Sequence, residues 1–396
     1  MAKGVGSRNG NGRGPQPAAI PRIPFTAAAH EHVEPAFDVT QLLGASAVQL
    51  GPFDVPAFGY LRHIVLVATG SGGTLGAGVL SADHPWNVIQ SISLSDVNGA
   101  PIFGPVDGFA ALQANIFGGY GGARPDPRVA STYSNTINGS FLLRIPVEIQ
   151  RSTGLGALAN QNAAASYKVA ITVNPSTVVY STAPTTPASW RFRAFLEAWT
   201  LPNEVDVAGR PQAMLPPAHG TTAYVSSFSR STVVGANTVL LPRVGNLIRS
   251  LVFIARTAAA GTPRDDTVFP DPVTLNWDAR ALFNQFPQTY IIHRMLEQLA
   301  QSTNQAATAN SRDTGVFAIN YANIEHGIAG DDEPTLWLPT VQSTRLELTG
   351  TAATAGTIQA ITCDVAPVEV VPQERFVETS ETGFHPAIGV ANPAAQ

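Results

Sequence analysis

The density of helix breakers constrains this chain more than any other feature. Its 35 glycines and 31 prolines, about one residue in six, are scattered along the whole sequence. Each glycine costs backbone entropy inside a helix and each proline removes a hydrogen bond, so a chain interrupted this often cannot sustain a helical bundle. Many short strands joined by turns suit it better, and the expected class is all-β. The longest apolar stretches are of the kind Ile64 to Ala68 and Leu251 to Ala255, far short of the roughly 20 residues that cross a bilayer as a helix. This argues against an integral membrane protein.

Period-2 alternation marks the strands. Tyr167, Val169, Ile171 and Val173 alternate with Lys168, Ala170, Thr172 and Asn174, and Pro175 ends the run. Val88, Ile92 and Leu94 alternate with polar neighbours before an Asn98-Gly99 turn, and Leu346 and Leu348 with Arg345, Glu347 and Thr349. Further strands are expected at Phe58 to Thr69, Phe141 to Ile149, Trp190 to Leu201, Thr222 to Phe228, Leu247 to Arg256, Val316 to Tyr321 and Thr357 to Val365. Helical spacing is confined to Phe109, Leu112 and Ile116 behind a possible N-cap at Asp107, and to the stripe Ile291, Ile292, Met295, Leu296 and Leu299 within Gln288 to Gln301. So few helices cannot cover a parallel sheet on both faces, which excludes a doubly wound fold.

Pro202, Gly209, Pro211, Pro216, Pro217 and Gly220 break the body near its middle, leaving two halves each the size of one sandwich. The halves share a plan of strands, a tryptophan-bearing strand end (Pro85-Trp86-Asn87 and Asn276-Trp277-Asp278), a helix and more strands. The expected organisation is an N-terminal arm over 1–34, a first sandwich over 35–201, a linker over 202–220, a second sandwich over 221–370 and a C-terminal arm over 371–396. The first arm is Gly-rich and basic, with Lys3, Arg8, Arg13 and Arg22 and no acid before Glu31. The second carries Glu374, Glu378, Glu381 and three prolines with little to bury.

Only 13% of residues are charged, against about 25% in an ordinary soluble domain. Much of the outside is therefore expected to meet other protein. All basic residues but Lys3 and Lys168 are arginine, a bias that a GC-rich genome accounts for. One cysteine, Cys363, excludes an intrachain disulfide scaffold. Met1 to Asn11 lacks the apolar core of a signal peptide, and synthesis in a reducing cytoplasm is expected.

Length, element order and linker position, from Phe37-Asp38-Val39 and the strand Gly59 to Thr69 through Phe141-Leu142-Leu143-Arg144-Ile145-Pro146-Val147 and Gly154 to Ala165 to the second strand-and-helix set, resemble one family. It is the double jelly-roll major capsid proteins of tailless, membrane-containing icosahedral phages, the tectivirus-like group. The resemblance implies two tandem jelly-roll sandwiches and a homotrimer whose six rolls form a pseudo-hexagonal capsomer. It further implies an icosahedral shell made in a bacterial cytoplasm, with neighbouring capsomers, vertex (penton) proteins, minor capsid proteins and an internal viral membrane around double-stranded DNA as partners. It places Lys3, Arg8, Arg13 and Arg22 on the inner face, where each meets anionic lipid at about 1 kcal/mol. The Gly-rich arm lacks the amphipathic stripe of a helix lying on that membrane. The alternatives are a trimeric spike or receptor-binding protein and a two-sandwich carbohydrate-active protein.

No residue set favours catalysis or a cofactor. Gly70 to Gly76 lacks the Gly-Lys-Ser/Thr ending of a phosphate loop, and Phe117 to Gly122 reads as a mobile loop with Tyr120 a contact residue at best. His30, His32 and Glu34 share one side of an extended chain, as zinc ligands would, but with no second cluster they read as a solvated hinge before the first strand. His63 and His293 read as interface or satisfied core residues. Asp265-Asp266 and Asp331-Asp332-Glu333 could serve a cation or glycoside hydrolysis, but they sit in Gly/Pro loops and read as solvated. Asn138-Gly139-Ser140 matches a glycosylation acceptor that a bacterial cytoplasm leaves unused, and Cys363 reads as a small buried residue. Outside the arm the body is acidic without aromatic-basic interleaving, so no sequence-specific nucleic-acid contact is expected.

Overall fold

The computed structural model describes residues 22–366 apart from 82, 119–138, 218–220, 243, 259–262, 279, 288, 291–313, 322–336 and 342. The first half contains strands β1 (Glu31–Leu42), β2 (Val48–Asp54), β3 (Tyr60–Ser71), β4 (Val79–Leu80), β5 (Ile89–Ser95), β6 (Pro101–Val106), β7 (Gly139–Pro146), β8 (Leu158–Ala159), β9 (Lys168–Val173), β10 (Tyr180–Thr182) and β11 (Ser189–Trp199). The second contains β12 (Ala223–Thr232), β13 (Gly235–Leu240), β14 (Leu247–Arg256), β15 (Pro270–Trp277), β16 (Arg280–Gln285), β17 (Val316–Asn320), β18 (Leu338–Pro339), β19 (Leu346–Ala352) and β20 (Gly356–Val365). The helices whose bounds lie among the described residues are α1 (Phe25–Ala28), α2 (Gly108–Phe117) and α3 (Ser176–Val179), and residues 287, 289 and 290 are also helical.

Among the described residues each half has eight main strands in two sheets. In the first half the orders are β1-β11-β3-β7 and β2-β9-β5-β6; in the second they are β12-β20-β14-β17 and β13-β19-β15-β16. Counted along the chain within each half, both follow the orders 1-8-3-6 and 2-7-4-5, which is the jelly roll. The fold is a double jelly roll.

The rolls do more than follow one another. Edge strand β6 of roll 1 joins edge strand β12 of roll 2 in parallel at Phe103 and Val225, so a sheet from each roll fuses into one. Pairing at that seam removes two exposed edges. The core crosses it too: Val225, Val252, Ile254, Val316, Ala318 and Ile361 of roll 2 belong to the same apolar cluster as Leu66, Phe103, Ala110 and Phe192 of roll 1. Roll 2 keeps a second cluster between its own sheets, around Phe253, Phe269, Leu275 and Phe317. This is why every residue of β14 is buried.

Helix α2 starts as expected, with the Asp107 carboxylate accepting from Ala110 N at 2.9 Å. Its burial differs from the sequence stripe: Leu112 and Ile116 are half-buried, whereas Ala110, Ala111, Gln113, Ala114 and Asn115 are covered. The helix lies between the rolls and touches β5 and β7 on one side and β14 and β20 on the other, so apolar and small residues are needed all round it. Gly108 opens it because a Cβ there would sit 2.2 Å from the Trp86 carbonyl oxygen.

Two expectations need correction. The arm drawn to residue 34 ends earlier, because Phe25 is buried edge-on between Tyr60 and Trp199 and Glu31–Glu34 are the opening residues of β1. Pro35 falls within β1, as an edge strand tolerates. The tryptophan landmarks are also not equivalent: Trp86 lies in a 3-10 turn before β5, whereas Trp277 ends β15. The repeat is one of strand order. The second expected helix is helical where it is described, at residues 289 and 290, and its remainder over 291–301 lies outside the described residues, as do Phe117–Gly122 beyond Gly118, Asn138, His293, Asp331-Asp332-Glu333 and the arm over 371–396.

Candidate assembly surfaces and the inter-roll clamp

Buried charge holds the rolls together. Asp83, ahead of the turn into β5, accepts from Arg256 Nη1 at 2.5 Å and Arg264 Nε at 2.7 Å, with all three side chains 2–3% exposed. Both guanidinium carbons lie over the Phe109 ring, at 5.7 and 4.4 Å from its centroid. Carboxylate and ring belong to roll 1 and both arginines to roll 2. Such a site is unstable without its counter-charge, so the clamp ties the folding of one roll to the other.

Roll 2 also caps α2 at both ends. Gln359 Nε2 donates to the capping Asp107 at 2.7 Å; Asn320 Nδ2 donates to the Phe117 carbonyl at 2.8 Å and Arg249 Nη2 to that of Gly118 at 3.2 Å. These carbonyls are the orphan acceptors that every helix leaves at its C-terminus. At the edge of roll 1, Asn115 of α2 does the work of a missing strand. Its side-chain amide accepts from Arg144 N and donates to Arg144 O, each at 2.7 Å, which satisfies the edge of β7 at that residue.

A second charged centre sits where β1 begins and β11 ends. Arg62, fully buried, donates to Glu148 at 2.9 Å and Glu31 at 2.7 Å and lies 4.2 Å over the Trp199 ring, while Trp199 Nε1 donates to Glu148 at 2.6 Å. Burial pushes the Glu148 carboxyl up, against the pull of Arg62 and Trp199. Alongside, His63 Nε2 donates to Glu197 at 2.5 Å. That hydrogen bond, with Arg144 and Arg62 nearby, holds Glu197 down to about 2, and burial keeps the imidazole of His63 below its ordinary value. A neutral imidazole donating to an ionised carboxylate fits both shifts.

The same end gathers the chain's exits. Ile23 N donates to Pro211 O and Ala213 N donates to Ile23 O, so the N-terminal segment runs along the linker. Ala366, after β20, donates to Thr222 O just beyond that linker. Within the linker the Asp206 carboxylate accepts from Ala208 N and Arg210 N and pins a turn with Val207 fully exposed. Leu201, Val205, Met214 and Leu215 are exposed around it. Two strand edges carry further exposed apolar residues: Val33 and Leu42 on β1, and Leu282 with the neighbouring Phe286 on β16.

Of the basic arm residues expected to face inward, Arg22 is exposed at the linker, and Lys3, Arg8 and Arg13 lie outside the described residues. His30 is exposed at the start of β1, while His32 stacks on Phe58 at 3.7 Å and sits 3.5 Å from Glu34. The expected hinge is therefore part of a strand, and among the described residues no group of three or more His, Cys, Asp or Glu could hold a metal. Asp265 and Asp266 engage different partners. Asp265 accepts from Thr267 N and Oγ1 at 2.9 and 2.8 Å and Asp266 accepts from Gly315 N at 2.5 Å, so both cap turns. Cys363 is buried in β20. The clamp residues Asp83, Arg256 and Arg264 carried no sequence signal, because nothing local distinguishes them from surface charges.

No family model matches the chain, and no curated protein matches it in sequence. Solved structures do. A chain in the atomic structure of Sulfolobus Turreted Icosahedral Virus aligns over 89% of this chain and 96% of its own, with 13% identity and a TM-score of 0.59. The STIV MCP aligns over 86% and 98%, with 13% identity and a TM-score of 0.52. PBCV-1 VP54, fitted into a reconstruction of the virophage Sputnik, aligns over 85% and 94%, with 10% identity and a TM-score of 0.51. These double jelly-roll neighbours are major capsid proteins of icosahedral viruses. At such identities the likeness is one of fold.

Proposed function

We propose that this chain is the major capsid protein of a tailless double-stranded DNA phage, made in a bacterial cytoplasm and acting by self-association alone. Three copies form a pseudo-hexagonal capsomer, and capsomers tile an icosahedral shell around an internal membrane, with vertex and minor proteins completing it. The observation that carries this reading is the union of two rolls of identical strand order across one seam, clamped by Asp83, Arg256 and Arg264. Three rigid pairs about a threefold axis present six similar blocks, and six blocks tile a surface as hexagons do. Low charge and exposed apolar side chains on strand edges and linker suit surfaces that are covered on assembly.

The arm with Lys3, Arg8, Arg13 and Arg22 leaves from the end where linker and C-terminal strand meet, and we assign that end to the inner, membrane-facing side. Native mass measurement of the purified chain tests the capsomer: a trimer persisting at nanomolar concentration is expected, and a stable monomer overturns it. Deleting Met1 to Arg22 should leave the trimer and impair particle assembly or membrane attachment; unchanged particles remove any role for the arm. In purified virions the chain should be the most abundant protein, whereas a spike would be a minor one.

A further inference from the structure

The seam inside the chain is a template for a contact between chains. β12 and β1 are the same strand of their rolls: Ala223 and Glu31 open them, paired with Val365 and Trp199, the last residues of the returning strands β20 and β11. β6 and β16 are likewise equivalent, since Pro101 and Arg280 open them opposite Ser95 and Trp277, the last residues of β5 and β15. Within the chain β6 and β12 meet in parallel, third residue to third residue, at Phe103 and Val225. Their counterparts β16 and β1 are both terminal strands of their sheets among the described residues.

We infer that β16 of one copy docks beside β1 of a second copy in parallel, as β6 does beside β12, with Leu282 meeting Val33. The inference rests on the capsomer reading and supplies its contact. Counting from each strand's first residue, Leu282 is the third of β16 and Val33 the third of β1. These are apolar side chains, 39% and 55% exposed, although Phe37 and Val39 of β1 and Phe283 of β16 turn towards the core. Charge agrees with the register: β16 opens with the exposed Arg280 and carries no acid, whereas β1 carries Glu31, Glu34 and Asp38. A contact between two different edges of one chain is heterologous, so repeating it closes a ring when the rotation allows. With two equivalent rolls per chain, a closed ring of six rolls is three chains.

The test is a double variant of the full chain, Val33→Cys with Leu282→Cys, treated with a short bismaleimide and run on a denaturing gel; the native Cys363 is buried. Parallel neighbours lie within reach of such a linker. The expected product is a covalent trimer, with either single variant staying monomeric on the gel and a mixture of the two singles stopping at dimer. Leu282→Glu, which sets an acid against an acidic strand, should weaken association at least tenfold by native mass while the melting of the subunit stays unchanged. A trimer by native mass that gives no cross-link overturns this contact and leaves the capsomer standing. A monomer by native mass overturns both.

Discussion

Replacing Asp83 by Asn removes one charge and almost no volume from the clamp. The site suits this change because Asp83 has a φ of +65°, a left-handed conformation that Asn adopts as readily as Asp, so the variant reports charge without backbone strain. Asp83 faces Arg256 at 2.5 Å and Arg264 at 2.7 Å with almost no exposed side-chain surface. Opposite charges whose centres lie about 4 Å apart attract by about 4 kcal/mol at an effective dielectric of 20. Two such attractions compete with the desolvation of three buried charges, and removing one partner of a buried network costs about 3–5 kcal/mol. An unfolding entropy of about 2.1 cal/mol/K per residue over about 400 residues converts 4 kcal/mol to roughly a 5 °C fall in Tm. Calorimetry should show that fall, and because the clamp is the main buried ionic tie between the rolls among the described residues, the endotherm should broaden or split. A double-mutant cycle with Arg264→Gln should give coupling of about 2 kcal/mol. A variant melting within about 1 °C of the parent, with an additive cycle, refutes the claim that this carboxylate locks the rolls.

Asn115→Ala strips the edge of β7 of two hydrogen bonds and should cost about 2–3 kcal/mol in urea unfolding; a loss under about 0.5 kcal/mol would mean water replaces them freely. Gly59→Ala should give little or no folded protein, since Gly59 has a φ of +45° and its Cβ would lie 1.9 Å from the Trp199 carbonyl oxygen; a variant of parental stability would mean the two segments do not cross as described. The Glu197 carboxyl is held at about 2 in the fold against an ordinary 4.5. Its depressed value makes a stabilising contribution that is complete above pH 4.5 and fades as pH falls towards 2, worth about 1–2 kcal/mol after solvent screening. Glu197→Gln should flatten the urea midpoint across that window, and an unchanged slope there sinks the assignment.

Much of the strand inventory was written in the chain itself. Leu247–Arg256 has the bounds its sequence suggested, Gly356–Val365 begins one residue earlier than expected and Lys168–Val173 is one residue shorter at each end than the Tyr167–Asn174 alternation, because alternation and turn residues are local signals that need no partner to be read. The Asp107 cap was legible for the same reason. What only the tertiary structure decided were relations between distant segments. Asp83 looked like any loop acid until folding set it against arginines more than 170 residues away. α2 has no single apolar face because it serves two rolls, and Asn115 became half a strand only once β7 lay beside it. Residues 31–34 read as a hinge until a buried Phe25 and a paired β11 made them the start of β1. Period and propensity act over a few residues, whereas a buried ion pair or a fused sheet edge exists only where two surfaces meet, and no local pattern encodes which surfaces those are.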